Sequence, residues 1–263
     1  MKKSLLIIAA AALVLSVGCS KKTYYQVYQT APVKEGSVEQ KGGKLVSETQ
    51  GGEVMYNFFA EEGDAGFWFT NTTDSVVYID LAECFFVLNG NANDYYQARG
   101  WTTTKSSTIT VSKKEKKDKK NKESENTEGT STSEMKASQV AERQVVIVPP
   151  HATKYISEFR IVSKERELCG VKDTPKKSKP EGLSFTTDNT PVTFSNFITY
   201  KIGSKGKRHH VNDLFYVSEI INVNGEAMFE SVREKDACGK ESGEKVTKLR
   251  YATPDRYYVV YKR

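Results

Sequence analysis

Histidine is scarce in this sequence, and none of its three histidines lies in a pattern that holds a metal ion. His151 stands alone, while His209 and His210 are adjacent within a basic stretch. Neither arrangement has the H-E-x-x-H or paired-cysteine spacing of a zinc site. A glycine-rich phosphate loop and a G-x-S-x-G nucleophile elbow are also missing. We therefore expect no metal ion, no cofactor and no readily recognised catalytic centre.

Long apolar runs are missing too, apart from residues 5–17. This run follows Lys2 and Lys3 and is shorter than the ~20 apolar residues of a membrane-spanning helix, so residues 1–18 are interpreted as a cleaved signal peptide. Gly18-Cys19 after the run resembles a bacterial lipoprotein signal, although Ser16 stands where that pattern usually has leucine. The resemblance implies a mature chain that begins at Cys19, acylated with diacylglyceryl and palmitate-like chains. An ordinary secretory signal, which would leave Cys19 as a thiol, is the alternative.

The location follows from the same residues. In some lipoproteins an acidic run after the lipidated cysteine resembles a surface-export tag. No acidic run follows Cys19 here. We therefore expect a cell-envelope protein in the outer membrane that faces the periplasm, with surface exposure left open. Membrane contact is expected only through the lipid at Cys19.

An excess of basic charge is missing from most of the chain, despite a formal net charge of +6. Lys2 and Lys3 leave with the signal, and residues 113–125 hold seven lysines against four acids, so the remainder carries about +1. This balance, with the exported location, argues against a nucleic-acid partner. Residues 112–142 have almost no apolar side chains and are predicted to be a disordered, lysine-rich insert. This insert either is a solvated segment without a binding role or forms a basic patch that binds anionic lipid or polysaccharide.

Cysteine is also rare, with Cys84, Cys169 and Cys238 left after Cys19. Cys84 lies in an apolar run, where a buried reduced thiol is common. Cys169 and Cys238 are each followed by glycine, and an exported protein permits disulfides. We predict a Cys169–Cys238 bridge, which closes a loop of about 70 residues and would stabilise the fold by roughly 4 kcal/mol. Three free thiols are the alternative.

Helical periodicity is nearly absent, and short alternating runs of aromatic and β-branched residues predict an all-β fold. About a dozen such runs favour a β-sandwich, immunoglobulin-like or related, built as one large or two small units. Asn224-Gly225 between two apolar runs is the clearest hairpin signal. The predicted division is an anchored segment at 19–30, a first β-rich half at 31–111, the insert at 112–142 as an overgrown loop or a linker, and a second β-rich half at 143–263.

Aromatic residues make up 11% of the chain and suggest two uses. Alternation places Phe67 and Phe69 on one face of a strand and Trp68 on the other, so that one of the three is expected to be half exposed. Sandwich cores use large aromatics, which is the simpler interpretation. A glycan platform is the functional hypothesis, and we place it at Tyr95, Tyr96 and Trp101, which flank a polar loop.

A modification site is predicted at Ser75. Asp74-Ser75-Val76 resembles the acceptor for O-glycosylation of exported proteins in Bacteroides-type bacteria. Such short patterns also occur by chance.

Several segments together resemble an uncharacterised lipoprotein family of Bacteroides-type bacteria. They include Tyr24 to Tyr28, Gly66 to Asp74, Glu83 to Gly90, Asp94-Tyr95-Tyr96, Val148-Pro149-Pro150, Phe194-Ser195-Asn196 and Cys238-Gly239-Lys240. This resemblance implies no established activity and transfers no functional residue. We expect a non-catalytic binding or structural module with a protein or polysaccharide partner. The alternative is a hydrolase or carbohydrate-active accessory protein with a carboxylate-lined cleft.

Overall fold

The chain folds as an all-β protein. The computed structural model describes residues 21–108, 133–235 and 238–263. The strands in these ranges are β1 (Thr23–Pro32), β2 (Glu39–Lys41), β3 (Lys44–Thr49), β4 (Gly52–Tyr56), β5 (Phe67–Asn71), β6 (Val77–Asp80), β7 (Phe85–Leu88), β8 (Asn91–Asp94), β9 (Gly100–Thr108), β10 (Ser133–Ala141), β11 (Val145–Val148), β12 (Thr153–Ile156), β13 (Glu181–Ser184), β14 (Thr193–Ile202), β15 (Arg208–Asn224), β16 (Phe229–Lys235), β17 (Glu241–Leu249) and β18 (Arg256–Lys262). Short 3₁₀ helices span Leu81–Glu83 and Gly225–Met228.

Two antiparallel sheets and two ribbons contain these strands. The large sheet has the order β11-β6-β14-β15-β1-β18, with β13 added beside β15 and β7 and β8 beside β14. The small sheet has the order β12-β5-β4-β3-β2. The ribbons are β9–β10 and β16–β17. This arrangement confirms the predicted all-β class and is consistent with a β-sandwich.

Aromatic side chains from both halves of the chain fill one core between the sheets. Phe58 lies 5.1 Å from Phe194 and 5.0 Å from Phe215 between ring centroids, in edge-to-face geometry that aromatic pairs prefer. The large sheet itself takes strands from before and after the predicted insert. The two β-rich halves therefore share one hydrophobic core in the described residues.

Strand β5 shows how the local sequence sets the faces of the small sheet. Phe67, Phe69 and Asn71 are buried, whereas Trp68 and Thr70 between them are half-buried. This is the period of two that a strand with one face in the core requires. The prediction that alternation separates Trp68 from its neighbours is confirmed.

The predicted hairpin at Asn224-Gly225 is wrong. A hairpin would pair β15 with β16. Instead, β15 pairs with β1, β13 and β14, and β16 pairs with β17. The Asn224 side chain accepts a hydrogen bond from the backbone N–H of Glu226 (3.0 Å) and caps the 3₁₀ helix instead. Ala227 and Met228 are then buried against the outer face of the large sheet.

The predicted insert contains a strand that its composition did not indicate. Residues 133–141 form β10 and pair with β9 in register from Ser133 opposite Thr108 to Ala141 opposite Gly100. Residues 109–132, which hold the lysine-rich run, lie outside the described residues. Within the described ranges, no helix has the length and apolar composition needed to cross a membrane.

Candidate functional site

The predicted signal peptide and Cys19 lie outside the described residues, so the lipid anchor stays a prediction. Ser75, the predicted O-glycosylation site, is exposed in the turn between β5 and β6. Asn71 holds this turn in place by donating from Nδ2 to the Ser75 carbonyl (2.8 Å). The hydroxyl of Ser75 is therefore accessible, and its modification stays a prediction.

The predicted disulfide is not formed. Cys169 and Cys238 are both exposed, and no bridge joins them. Cys169 lies in a loop that is tied to β1 through Gln26, which accepts a hydrogen bond from the Arg166 N–H (2.7 Å). Cys238 lies at the far end of the β16–β17 ribbon, beyond the pairing of Lys235 with Glu241. The two thiols therefore belong to separate surface elements. Cys84 is buried, and burial raises the pKa of its thiol to about 12.

The predicted glycan platform does not form at Tyr95, because this side chain is part of the core. Its exposed fraction is 2%, and its hydroxyl donates a hydrogen bond to Asn196 Oδ1 (2.7 Å). Phe67 and Phe159 pack edge-on against its ring. Tyr96 is half-buried against the same core. Trp101 is the second residue of β9, and its side chain lies outside what the structure describes.

An aromatic pair, with one exposed ring and one half-buried ring, lies instead on the outer face of the small sheet. Trp68 of β5 stands opposite Tyr155 of β12 and Met55 of β4 in the strand register. The Trp68 and Tyr155 rings stack with centroids 4.3 Å apart, and Lys44 Nζ lies 4.1 Å from the Trp68 ring centroid. Tyr155 is 39% exposed. We call Lys44, Met55, Trp68 and Tyr155 the Trp68 surface.

Asp64 fixes the orientation of Tyr155. The Tyr155 hydroxyl donates a hydrogen bond to Asp64 Oδ2, while Ser157 Oγ and the Gly66 N–H both donate to Asp64 Oδ1 at 2.9 Å. Burial, and then this carboxylate, raises the pKa of Tyr155, so that the phenol stays protonated. A Cβ at Gly66 would lie 2.7 Å from the Tyr155 hydroxyl, so glycine is required for the close approach. The aromatic pair is therefore held in one conformation before any partner binds.

A second candidate is a cleft of about 420 Å³ between β3 and β15, lined by Glu48, His209 and Asp213 among others. Asp213 is the one buried acid there, with 7% exposure. Its oxygens accept hydrogen bonds from Ser47 Oγ (2.9 Å) and Tyr56 Oη (2.8 Å). These donors come from the small sheet, so the carboxylate joins the two sheets. Burial raises the pKa of Asp213, although both hydroxyl bonds act in the opposite direction.

This cleft lacks the geometry of an acid–base pair. His209 stacks on Tyr200 with ring centroids 5.3 Å apart and makes no hydrogen bond to Asp213 in the described structure. Both oxygens of Asp213 are already engaged by the fold. Among the residues described, no three His, Cys, Asp or Glu side chains come close enough together to hold a metal ion.

A third feature is the free edge of β11, the outermost strand of the large sheet. In the described ranges it pairs only with β6. Leu81 N–H donates to the Gln144 carbonyl just before this pairing (2.8 Å), so strand alternation turns the backbone groups of Val145 and Ile147 away from β6. The side chains of these two residues are 38% and 54% exposed. The edge therefore presents apolar side chains together with unpaired backbone groups.

Sequence reasoning missed the residues that build the Trp68 surface. Alternation indicated that Trp68 faces outward, but its stacking partner Tyr155 comes from a strand 87 residues later. Asp64 lies before β5, in an isolated bridge with Arg160, and accepts a hydrogen bond from Tyr155. Only the pairing of β5 with β12 brings these residues together.

Comparison with models of protein families, with curated proteins and with solved structures gives no match to this chain. The resemblance to a lipoprotein family of Bacteroides-type bacteria therefore stays a prediction, and the function is argued from the geometry alone.

Proposed function

We propose that this chain is a lipid-anchored envelope lipoprotein whose sandwich is a non-catalytic binding module. Cys19 would carry the acyl anchor in the outer membrane, with the body facing the periplasm. The partner would be an envelope protein or glycan that contacts the Trp68 surface. The observation that carries this proposal is the preordered stack of Trp68 on Tyr155, fixed by Asp64.

Preordering matters because binding costs free energy for every side chain that becomes immobilised, about 0.5–1.5 kcal/mol for a flexible one. Trp68 and Tyr155 have already lost that freedom in the free protein. Tryptophan and tyrosine are also the side chains that most often dominate protein interfaces, and aromatic rings are general stacking surfaces. Lys44 adds a cation at the same place, which favours a partner with acidic or hydroxyl groups.

The alternative of a hydrolase with a carboxylate-lined cleft has less support. A retaining or inverting glycosidase needs two carboxyl groups that flank one bond. In the cleft between β3 and β15, Asp213 is bound by Ser47 and Tyr56, while Glu48 is on an exposed strand position. We therefore propose a binding module that has no catalytic role.

Crosslinking and pull-down from native envelope test the proposal, with a glycan array run in parallel. We expect the wild-type chain to recover a partner or a glycan, and Trp68→Ala to reduce that recovery at least tenfold. Phe229→Ala is the matched control, because Phe229 is an aromatic residue at the surface (41% exposed) but lies on the β16–β17 ribbon. Equal recovery with Trp68→Ala and wild type would refute the Trp68 surface as the binding site.

The anchor is tested separately. The mass of the mature N-terminal peptide is expected to include the acyl groups on Cys19, and Cys19→Ala is expected to release folded protein from the membrane. An unmodified Cys19 in native envelope would contradict the anchoring.

A further inference from the structure

The residues that follow the predicted anchor are fixed at one end of the sandwich. The Lys22 N–H donates to the Arg263 carbonyl (2.9 Å), and the Arg263 N–H donates back to the Lys22 carbonyl (3.1 Å). Thr23 stands opposite Lys262 in the next register position. Cys19 precedes Lys22 by three residues, which span at most about 11 Å when extended. An acylated Cys19 would therefore hold the start of β1 next to the lipid headgroups.

Two further elements lie at this anchor end. The Tyr261 hydroxyl donates to the Asp173 carbonyl (2.6 Å), which places the loop of residues 172–179 over the end of β18. Gly225 of the 3₁₀ helix packs against Thr23, since a Cβ there would lie 2.5 Å from the Thr23 carbonyl oxygen. Lys177 joins this loop to the helix by an ion pair with Glu226 (3.0 Å). The loop, the helix and the ends of β1 and β18 thus form one surface.

This surface is basic, and most of its charge is uncompensated. Three of its acids are paired, because Arg263 pairs with Glu165 (3.1 Å) and Asp173 (3.6 Å) and Lys177 pairs with Glu226, while a fourth, Glu181, accepts a hydrogen bond from the Lys172 N–H (3.4 Å). Six other lysines there are exposed and make no ion pair in the described structure. They are Lys21, Lys22, Lys172, Lys176, Lys179 and Lys262, and we call them the anchor-end lysines.

We propose that the anchor-end lysines form a second membrane contact that binds the headgroups of anionic phospholipid. This inference rests on the proposed anchoring at Cys19, which sets the distance between the patch and the bilayer. Because the tether spans at most about 11 Å, it allows the lysines to approach the bilayer to within the Debye length of about 8 Å at physiological ionic strength, where exposed charges are only partly screened. Each lysine near an anionic leaflet strengthens the attraction roughly fivefold.

The contact would orient the whole module. Strand β15 ends at Asn224, which stands opposite Tyr24 at the anchor end, and its 17 residues span roughly 55 Å. Its first residue, Arg208, and the neighbouring Lys205 and Lys207 therefore lie at the opposite end, away from the bilayer. A module held only by Cys19 would tumble on its tether, whereas one also held by the lysines would stand upright.

Lysine acetylation, read residue by residue by mass spectrometry, tests the contact. The acylated full chain is reconstituted in phosphatidylethanolamine–phosphatidylglycerol vesicles (7:3) and, separately, in phosphatidylcholine vesicles. We expect acetylation of Lys172, Lys176 and Lys179 to be at least fivefold slower on the phosphatidylglycerol vesicles, and 0.5 M salt to abolish the difference. Lys205 and Lys207 are the matched controls, with equal rates on both vesicles. Equal rates for the three loop lysines on both vesicles would overturn the proposal.

Further experiments distinguish the lipid contact from other causes of slower acetylation. Lys176→Glu with Lys179→Glu is expected to remove most of the protection of the remaining loop lysine, Lys172, whereas Lys205→Glu with Lys207→Glu leaves the protection of all three loop lysines unchanged. If Cys19 proves to be unmodified, the anchoring fails, and the same footprint on the unacylated chain mixed with vesicles still tests the patch. Protection by a soluble anionic polysaccharide, such as polygalacturonate, without protection by phosphatidylglycerol vesicles would assign the patch to a polysaccharide and refute the lipid contact.

Discussion

Replacing Asn71 tests whether one buried amide joins the turn after β5 to the end of β11. Asn71 is fully buried, and the two hydrogens of its Nδ2 are shared among the carbonyls of Ser75 (2.8 Å), Val148 (3.1 Å) and Pro149 (3.0 Å). Its Oδ1 accepts from the Thr73 N–H (2.9 Å) and the Thr73 hydroxyl (2.8 Å). Every hydrogen-bonding position of the amide is therefore used inside the protein.

Asn71→Ala removes two donor hydrogens and the acceptor of two further bonds. At about 0.5–1.5 kcal/mol for each of these four, the loss is about 2–6 kcal/mol. Asn71→Asp keeps the shape and the two bonds from Thr73, but a carboxylate then faces three carbonyl oxygens. Since the new acid must be protonated to fit, its folded-state pKa would be raised, and the variant would lose stability as the pH rises through the acidic range.

Urea unfolding followed by tryptophan fluorescence, at pH 5 and pH 8, measures these changes. We expect Asn71→Asp to be less stable than Asn71→Ala at pH 8 and to recover part of the difference at pH 5. Asn91→Asp is the control, because Asn91 is exposed on β8, and its change is expected to be within about 0.5 kcal/mol. Wild-type stability of Asn71→Asp at pH 8 would refute the amide's role as the donor to these three carbonyls.

Three further predictions follow from buried groups. Burial raises the folded-state pKa of Asp213, so the protein should lose stability as the pH rises from the usual aspartate pKa of about 3.9 through the raised value. Asp213→Asn should flatten this part of the pH profile of urea unfolding. An unchanged slope would show that Asp213 does not cause the pH dependence. A thiol reagent at pH 8 should modify Cys169 in the native protein but Cys84 only after unfolding, because the Cys84 pKa is about 12; native labelling of Cys84 on mass analysis would contradict its burial. Gly52→Ala should lower the urea midpoint sharply, since the added Cβ would lie 1.9 Å from the Thr70 carbonyl oxygen at a φ of +139°; a stable variant would show that this turn rearranges.

Strands with alternating apolar residues were predictable from the sequence, and polar ones were not. Trp68 faces outward as its pattern indicated, because one face of β5 must enter the core. Strands β2, β8 and β17 are rich in charged and amide side chains and gave no such signal. Their conformation comes from backbone pairing with a neighbouring strand, which leaves no period in the side chains.

Asn224-Gly225 shows a local signal overridden by tertiary packing. An Asn-Gly pair favours a two-residue hairpin turn. Here burial of Ala227 and Met228 against Val27 and Val223 turns the chain into a 3₁₀ helix instead. The hairpin that does follow joins β16 to β17, further along the chain.

The candidate site was only partly predictable for the same reason. The sequence indicated an outward Trp68, but it could not show that Tyr155 would stack on it. Tyr95, expected at a surface platform, is buried because its hydroxyl finds Asn196 on β14, about a hundred residues away in sequence. Contacts of such long sequence separation depend on strand order, which local patterns do not specify.

The exposed edge of β11 also bears on how these molecules behave at high local concentration. An unpaired, apolar strand is a template on which strands of other molecules can add and grow into aggregates. This one is only four residues long, and Pro149-Pro150 follows it directly. Neither proline can donate a backbone hydrogen bond, so a strand added from another copy would find no continuation. A dense layer of this protein is therefore expected to resist edge-to-edge association, even though the edge itself stays uncovered by the described fold.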